Sequence, residues 1–161
     1  MIENYFFHRI KAEGTVFNKG IEVHDNLDSA IRAFYGYWTY AYNNPASPDV
    51  TFVSCKVTDG AGATVGKYEM TWLKDAGMAN KFFMHYIRHD GDNFAKGIDI
   101  FDDFDAAKGA FGAQMAYGYD NPNHANVDFV SCQITDTSGH IMEPYNDTWN
   151  KPEPEPEPNE A

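Results

Sequence analysis

Four kinds of side chain in this sequence have chemistry to offer, and each occurs twice, 77 residues apart. His8 and His85 stand at alternating positions with Phe6 and Ile10, and with Phe83 and Ile87. Two imidazoles brought together could share a metal ion or a proton. No Cys, Asp or Glu alternates with them to add a third ligand, so the simpler expectation is core histidines with satisfied ring nitrogens. Cys55 and Cys132 have Val53, Val57, Val130 and Ile134 as their alternating neighbours. With no positive group nearby in sequence to favour a thiolate, buried, inert thiols are expected. Lys19 and Lys96 alternate with apolar residues, and either snorkel at a sheet edge or meet an anion in a groove. Tyr40-Ala41-Tyr42-Asn43-Asn44-Pro45 and Tyr117-Gly118-Tyr119-Asp120-Asn121-Pro122 set tyrosines beside amides, a combination able to grip a sugar, a base or a partner loop. Helix termination accounts for the same residues without a ligand.

Acidic residues are distributed unequally. Residues 1–73 carry 8 acidic and 6 basic side chains, a net of −2, whereas residues 81–149 carry 11 and 4, a net of −7. Asp90, Asp92, Asp99, Asp102, Asp103, Asp105, Asp120 and Asp128 belong to the second set. A surface of that kind can imitate the phosphates of a nucleic acid and occupy a basic cleft on another protein, and Asp90, Asp92, Asp99 and Asp103 are the expected partner-binding residues. Solubility is the competing explanation.

The elements that must position these groups follow from an internal repeat. Sliding the chain by 77 positions superposes Tyr5–Trp72 on Phe82–Trp149 without a gap, with 28 identities in 68 positions. Phe52-Val53-Ser54-Cys55 and Thr58-Asp59 recur as Phe129-Val130-Ser131-Cys132 and Thr135-Asp136. The repeat divides the chain into units at 1–73 and 81–149, a linker at 74–80 and a tail at 150–161. Within a unit, alternating apolar residues flank Gly14-Thr15 or Gly91-Asp92, predicting a two-residue hairpin turn in which glycine takes positive φ. That turn sets Ile10 opposite Lys19 and His8 opposite Ile21. Asp25-Asn26-Leu27-Asp28 and Asp102-Asp103-Phe104-Asp105 supply capping oxygens for a helix of four to five turns that ends before Asn44-Pro45 or Asn121-Pro122. The apolar stripe Leu27, Ala30, Ile31, Phe34, Trp38 and Ala41 leaves Tyr35 and Tyr37 off the core face. Two more strands follow, 50–58 and 64–73, around Asp59-Gly60-Ala61-Gly62. On the first of them Val53, Cys55 and Val57 make a buried face, while Phe52, Ser54 and Lys56 make a half-polar one.

The fold class is therefore α+β: a tandem duplication of a ββαββ unit with antiparallel sheets and one helix per unit, related by a pseudo-twofold axis. A unit of about 70 residues buries barely enough apolar area to stand alone, so the two should share a core, with sheets joined edge to edge or packed on each other and a groove along the axis. The tail, with its Pro-Glu alternation, is expected to be an extended, solvated segment.

The chain has 161 residues, is 43% hydrophobic and has a formal charge of −12. That charge repels phosphate backbones and anionic lipid, so neither direct nucleic-acid binding nor membrane binding is expected. Met1-Ile2-Glu3-Asn4 lacks the basic start and apolar stretch of a secretion signal, and the expected location is the cytoplasm. The sequence has no Gly-x-Ser-x-Gly, phosphate-binding glycine loop, Cys-x-x-Cys or His-Glu-x-x-His motif. No catalytic residue, metal site or cofactor is expected. At residues 128–136 (Asp-Phe-Val-Ser-Cys-Gln-Ile-Thr-Asp) and the Pro-Glu tail, the chain resembles short acidic proteins encoded by phages and mobile elements of gut anaerobes. The resemblance implies an inhibitor of a host nucleic-acid-directed defence protein, of anti-CRISPR or anti-restriction type, whose partner has a basic surface. The alternative is a protein that binds a nucleotide or sugar in the groove, through Lys19, Lys96, His8, His85, Tyr42 and Tyr119.

Overall fold

In the computed structural model, which describes residues 2–74 and 80–152, the chain forms two helices and two four-stranded antiparallel sheets. The first half contains β1 (Tyr5–Glu13), β2 (Val16–His24), α1 (Leu27–Tyr42), β3 (Val50–Thr58) and β4 (Thr64–Leu73). The second contains β5 (Phe82–Asp90), β6 (Asn93–Phe101), α2 (Phe104–Tyr119), β7 (Phe129–Thr135) and β8 (Ile141–Asn150). The sheet orders are β2-β1-β3-β4 and β6-β5-β7-β8. The linker expected at 74–80 falls largely on residues outside those described, and so does most of the Pro-Glu tail.

Turn chemistry sets the register. Gly14 and Gly91 have φ of 64° and 73°, where a Cβ would be strained. The resulting hairpins pair Ile10 with Lys19, His8 with Ile21, Ile87 with Lys96 and His85 with Ile98, as the spacing predicts. Each helix starts from a short acceptor: Asn26 takes a hydrogen bond from the Ser29 amide, and Asp103 takes one from the Asp105 amide. Each ends at an Asn-Pro turn closed by an amide side chain, with Asn44 Nδ2 donating to the carbonyls of Ser47 and Val50, and Asn121 Nδ2 to those of His124 and Val127.

The sheets pack face to face, with one helix on the outer face of each, giving a helix–sheet–sheet–helix stack. Phe6, Ile10, Ala12, Ile21 and Phe52 meet Phe83, Ile87, Ile98 and Phe129 in the central layer. The stacking is reciprocal: Phe6 lies on Phe129 with centroids 5.7 Å apart, and Phe52 on Phe83 at 5.8 Å. Burial of one such ring stabilises by roughly 2–3 kcal/mol, so this shared layer is a main reason for the halves to stay together. The outer layers are separate: Ala30 and Phe34 of α1 pack on Val53, Cys55 and Val57, and Ala107 and Met115 of α2 pack on Met84, Cys132 and Ile134.

Two expectations about faces need correction. Tyr37 is not off the core: it is half-buried, edge-on to Phe7 at 5.8 Å, because α1 presents a face wider than a narrow stripe. The half-polar face of β3 with Phe52, Ser54 and Lys56 is covered as well as the apolar one, because the second sheet lies over it: Phe52 is fully buried and Lys56 keeps only 6% of its surface.

Candidate functional site

The two histidines meet in the middle of the stack. Their Nδ1 atoms are 2.9 Å apart, and each Nε2 reaches a threonine hydroxyl, His8 to Thr58 at 2.8 Å and His85 to Thr135 at 2.9 Å. One neutral ring must donate Nδ1–H to the other, so the donor's Nε2 accepts from its threonine while the acceptor's Nε2–H donates to the other threonine. The chain Thr58–His8–His85–Thr135 is thus fully satisfied in either of two opposite directions. Burial holds both imidazoles well below their ordinary basicity, and the charge of Lys56 pushes them in the same direction. Of the two uses weighed for this pair, sharing a proton fits the geometry. Among the described residues no group of three or more His, Cys, Asp or Glu side chains is placed to hold a metal.

Beside this pair opens a cavity of about 270 Å³, near the lower end of the range for small-molecule sites. His8 and His85 form its floor. Ser54, Lys56, Glu69 and Thr71 of the first half form one wall, and Ser138, Gly139 and His140, from the β7–β8 turn of the second half, form another. The turn can lie this close because Gly139 has φ of 80° and no side chain; a Cβ there would stand 2.1 Å from Thr71 Oγ1. Thr71 is itself fixed by a 2.8 Å hydrogen bond to Ser54.

Lys56 is the group in this cavity that the sequence reading missed as a site residue. β1 and β4 flank β3 and place Lys56 opposite His8 on one side and Glu69 on the other. Among the described residues its ammonium has no hydrogen-bond or ion-pair partner. Burial pulls its pKa down to about 8, partly opposed by the negative charge of Glu69. The side chain is buried while its ammonium keeps access to the polar cavity, and a largely buried charge without a counter-ion is costly. One sequence signal pointed to it: the well-matched segment Phe52–Asp59 departs from its counterpart at two positions, Val57 against Ile134, which keeps the chemistry, and Lys56 against Gln133, which changes the charge.

The other proposed ligand residues do not join the histidines. Lys19 and Lys96 do lie on the inward-facing side of their hairpins, but both are exposed on edge strands β2 and β6, away from β3 and β4. Of the two readings weighed for them, snorkelling is what the geometry supports. Tyr42 and Tyr119 are 84% and 64% exposed at the ends of the outer helices, with the sheets between them and the cavity. Tyr119 donates to Asp147. The thiols are separated too, each buried under its own helix, and burial pushes both up to about 12, which suits the inert reading.

The acidic residues do not form one patch. Asp90 and Asp92 are at the β5–β6 turn, Asp99 is near the other end of the nine-residue β6, and Asp103 lies just beyond it. A strand of that length places the turn and Asp103 roughly 25–30 Å apart. Asp103, one of the expected partner-binding residues, is also the α2 cap, so its carboxylate has a structural task. Asp102, Asp105 and Asp128 have local partners in Lys81, Lys108 and His89.

No helix among the described residues is long and apolar enough to cross a membrane. No family model, curated protein or solved structure gives a significant match to this chain.

Proposed function

We propose that this protein is a non-enzymatic binder of a small anionic molecule, a carboxylate of a few heavy atoms, held in the cavity between the halves by the Lys56 ammonium. The observation that carries this reading is a buried cation, without a partner among the described residues, aimed into a cavity that has walls from both halves. A bound carboxylate would supply the missing counter-charge, and the nearby hydroxyls could hydrogen-bond its oxygens. The same reading takes the halves as tandem copies related by a pseudo-twofold axis through the His8–His85 contact, with one copy kept as scaffold and the other adapted to the ligand. A cytoplasmic location is part of the proposal.

Inhibition of a basic, nucleic-acid-directed protein by an acidic surface is the other reading, and it rests on the net −7 of the second half. It requires carboxylates at both ends of a long strand to act together, whereas the cavity concentrates its chemistry within one site. The distinguishing experiment titrates acetate into the full chain and into Lys56→Gln, a substitution that copies the residue at the matching position of the second half. Saturable one-to-one binding that weakens at least tenfold in a folded Lys56→Gln protein is expected. Equal binding by both proteins, or none by the parent, would overturn the proposal.

A further inference from the structure

We infer that Lys56 is a covalent capture site: its amine condenses with the carbonyl carbon of a small α-oxo acid or aldehyde acid in the cavity to form an imine. This rests on the proposed anion site and adds a bond-forming step to it. The geometry has three parts. Lys56 stands two residues before the end of β3, which has a strand on either side, and lines a volume suited to a molecule of a few heavy atoms. No carboxylate among the described residues lies close enough to form an ion pair with it, so no salt bridge has to break before it reacts. Thr135, one end of the Thr–His–His–Thr chain, lines the same cavity and gives a buried hydroxyl with a proton relay behind it.

The step balances without an oxidant or reductant. The neutral amine nitrogen attacks the carbonyl carbon and forms a carbinolamine, as a proton moves from nitrogen to oxygen. The C–O bond then breaks, a proton reaches the departing oxygen, and water leaves. Protonation of the product gives an iminium ion, which keeps a positive charge where the ammonium was, so the substrate's carboxylate retains its partner. Burial serves the reaction, because an amine with a pKa near 8 is partly neutral at neutral pH. Glu69, opposite Lys56 on exposed β4, keeps the protonated form from being lost altogether.

The test uses glyoxylate as probe with cyanoborohydride, whose hydride reduces an iminium to a stable secondary amine. The full chain is mapped by peptide mass spectrometry after a short exposure at pH 7–8. Carboxymethylation is expected at Lys56 at least about tenfold faster than at any other lysine, rising with pH through 8, suppressed by acetate and absent at this site in Lys56→Gln. Direct acetate titration is run in parallel. If acetate binds but Lys56 reacts no faster than the exposed lysines, the condensation is overturned and the anion site stands. If acetate does not bind and Lys56 is not selectively labelled, both fall. The comparison among lysine peptides is made within the parent protein, so it does not depend on the variant folding.

Discussion

Lys56 and Gln133 hold the same place in their sheets yet make opposite environments. His8 pairs with Lys56 and Lys56 with Glu69 across the first sheet, while His85 pairs with Gln133 and Gln133 with Asn146 across the second. Both central residues are buried, at 6% and 3%. One row therefore carries an ammonium and a carboxylate, and the other carries two neutral amides. Among the described residues Gln133 Oε1 has no hydrogen-bond partner, which costs about 1–3 kcal/mol, but the neutral amide does not titrate. The difference teaches that two halves with the same strand order can keep the same packing and still differ in chemistry, because a cross-strand row that does not contribute to the apolar core can change charge without disturbing it.

The largest expected effect concerns what the rows share. Both histidines are held neutral in the folded state, well below their ordinary value of 6.5. Below about pH 6.5 the unfolded chain therefore binds protons that the folded chain does not, and stability falls as pH falls. Each ring that the folded state keeps neutral contributes a slope approaching about 1.4 kcal/mol per pH unit. Denaturant unfolding at a series of pH values should show this loss. A flat profile from pH 6.5 to 5 would mean that the rings are not buried as neutral partners.

Next come the turns that each half lays on the other. Gly62 and Gly139 both have φ of 80°, and a Cβ would stand 1.9 Å from Thr148 Oγ1 or 2.1 Å from Thr71 Oγ1. Gly62→Ala and Gly139→Ala should each destabilise by about 3–4 kcal/mol, through backbone strain and overpacking. The two should part company in binding: Gly139 walls the Lys56 cavity, so only Gly139→Ala should also weaken acetate binding in excess of its effect on folding. Equal binding losses in both variants would break the distinction between the rows.

A smaller effect isolates Lys56 itself. Its folded-state value of about 8 lies below the usual 10.5, so between those pH values the unfolded state holds more protons and stability rises with pH. The stability difference between the parent and Lys56→Gln should therefore change in the parent's favour by up to about 3 kcal/mol from pH 8 to 10.5. Comparing the two proteins cancels the contributions of the buried thiols. A constant difference would place the ammonium in water.

Much of the fold was legible because it follows from local chemistry. Gly14 and Gly91 fix the hairpin register, Asn26 and Asp103 start the helices, and Asn44 and Asn121 with the following prolines end them. Which strands lie side by side is a long-range choice, and the placement of β3 between β1 and β4 is what sets Lys56 opposite His8. Face-to-face packing is also long-range, and alternation along β3 predicts one buried face when the second sheet in fact buries both. Lys19 and Lys96 looked like the inward lysines because they stand in apolar hairpins, but their strands are edges. Lys56 did not stand out because it shares a half-polar strand face with Ser54 and Phe52.

The most direct measurement is a nuclear magnetic resonance titration of the Lys56 side-chain amine in the full chain, assigned by its loss in Lys56→Gln, with and without saturating acetate. The account predicts a midpoint near 8 that moves upward when acetate binds, because an anion stabilises the charged form. A midpoint at or above the usual 10.5, unmoved by acetate, would contradict it.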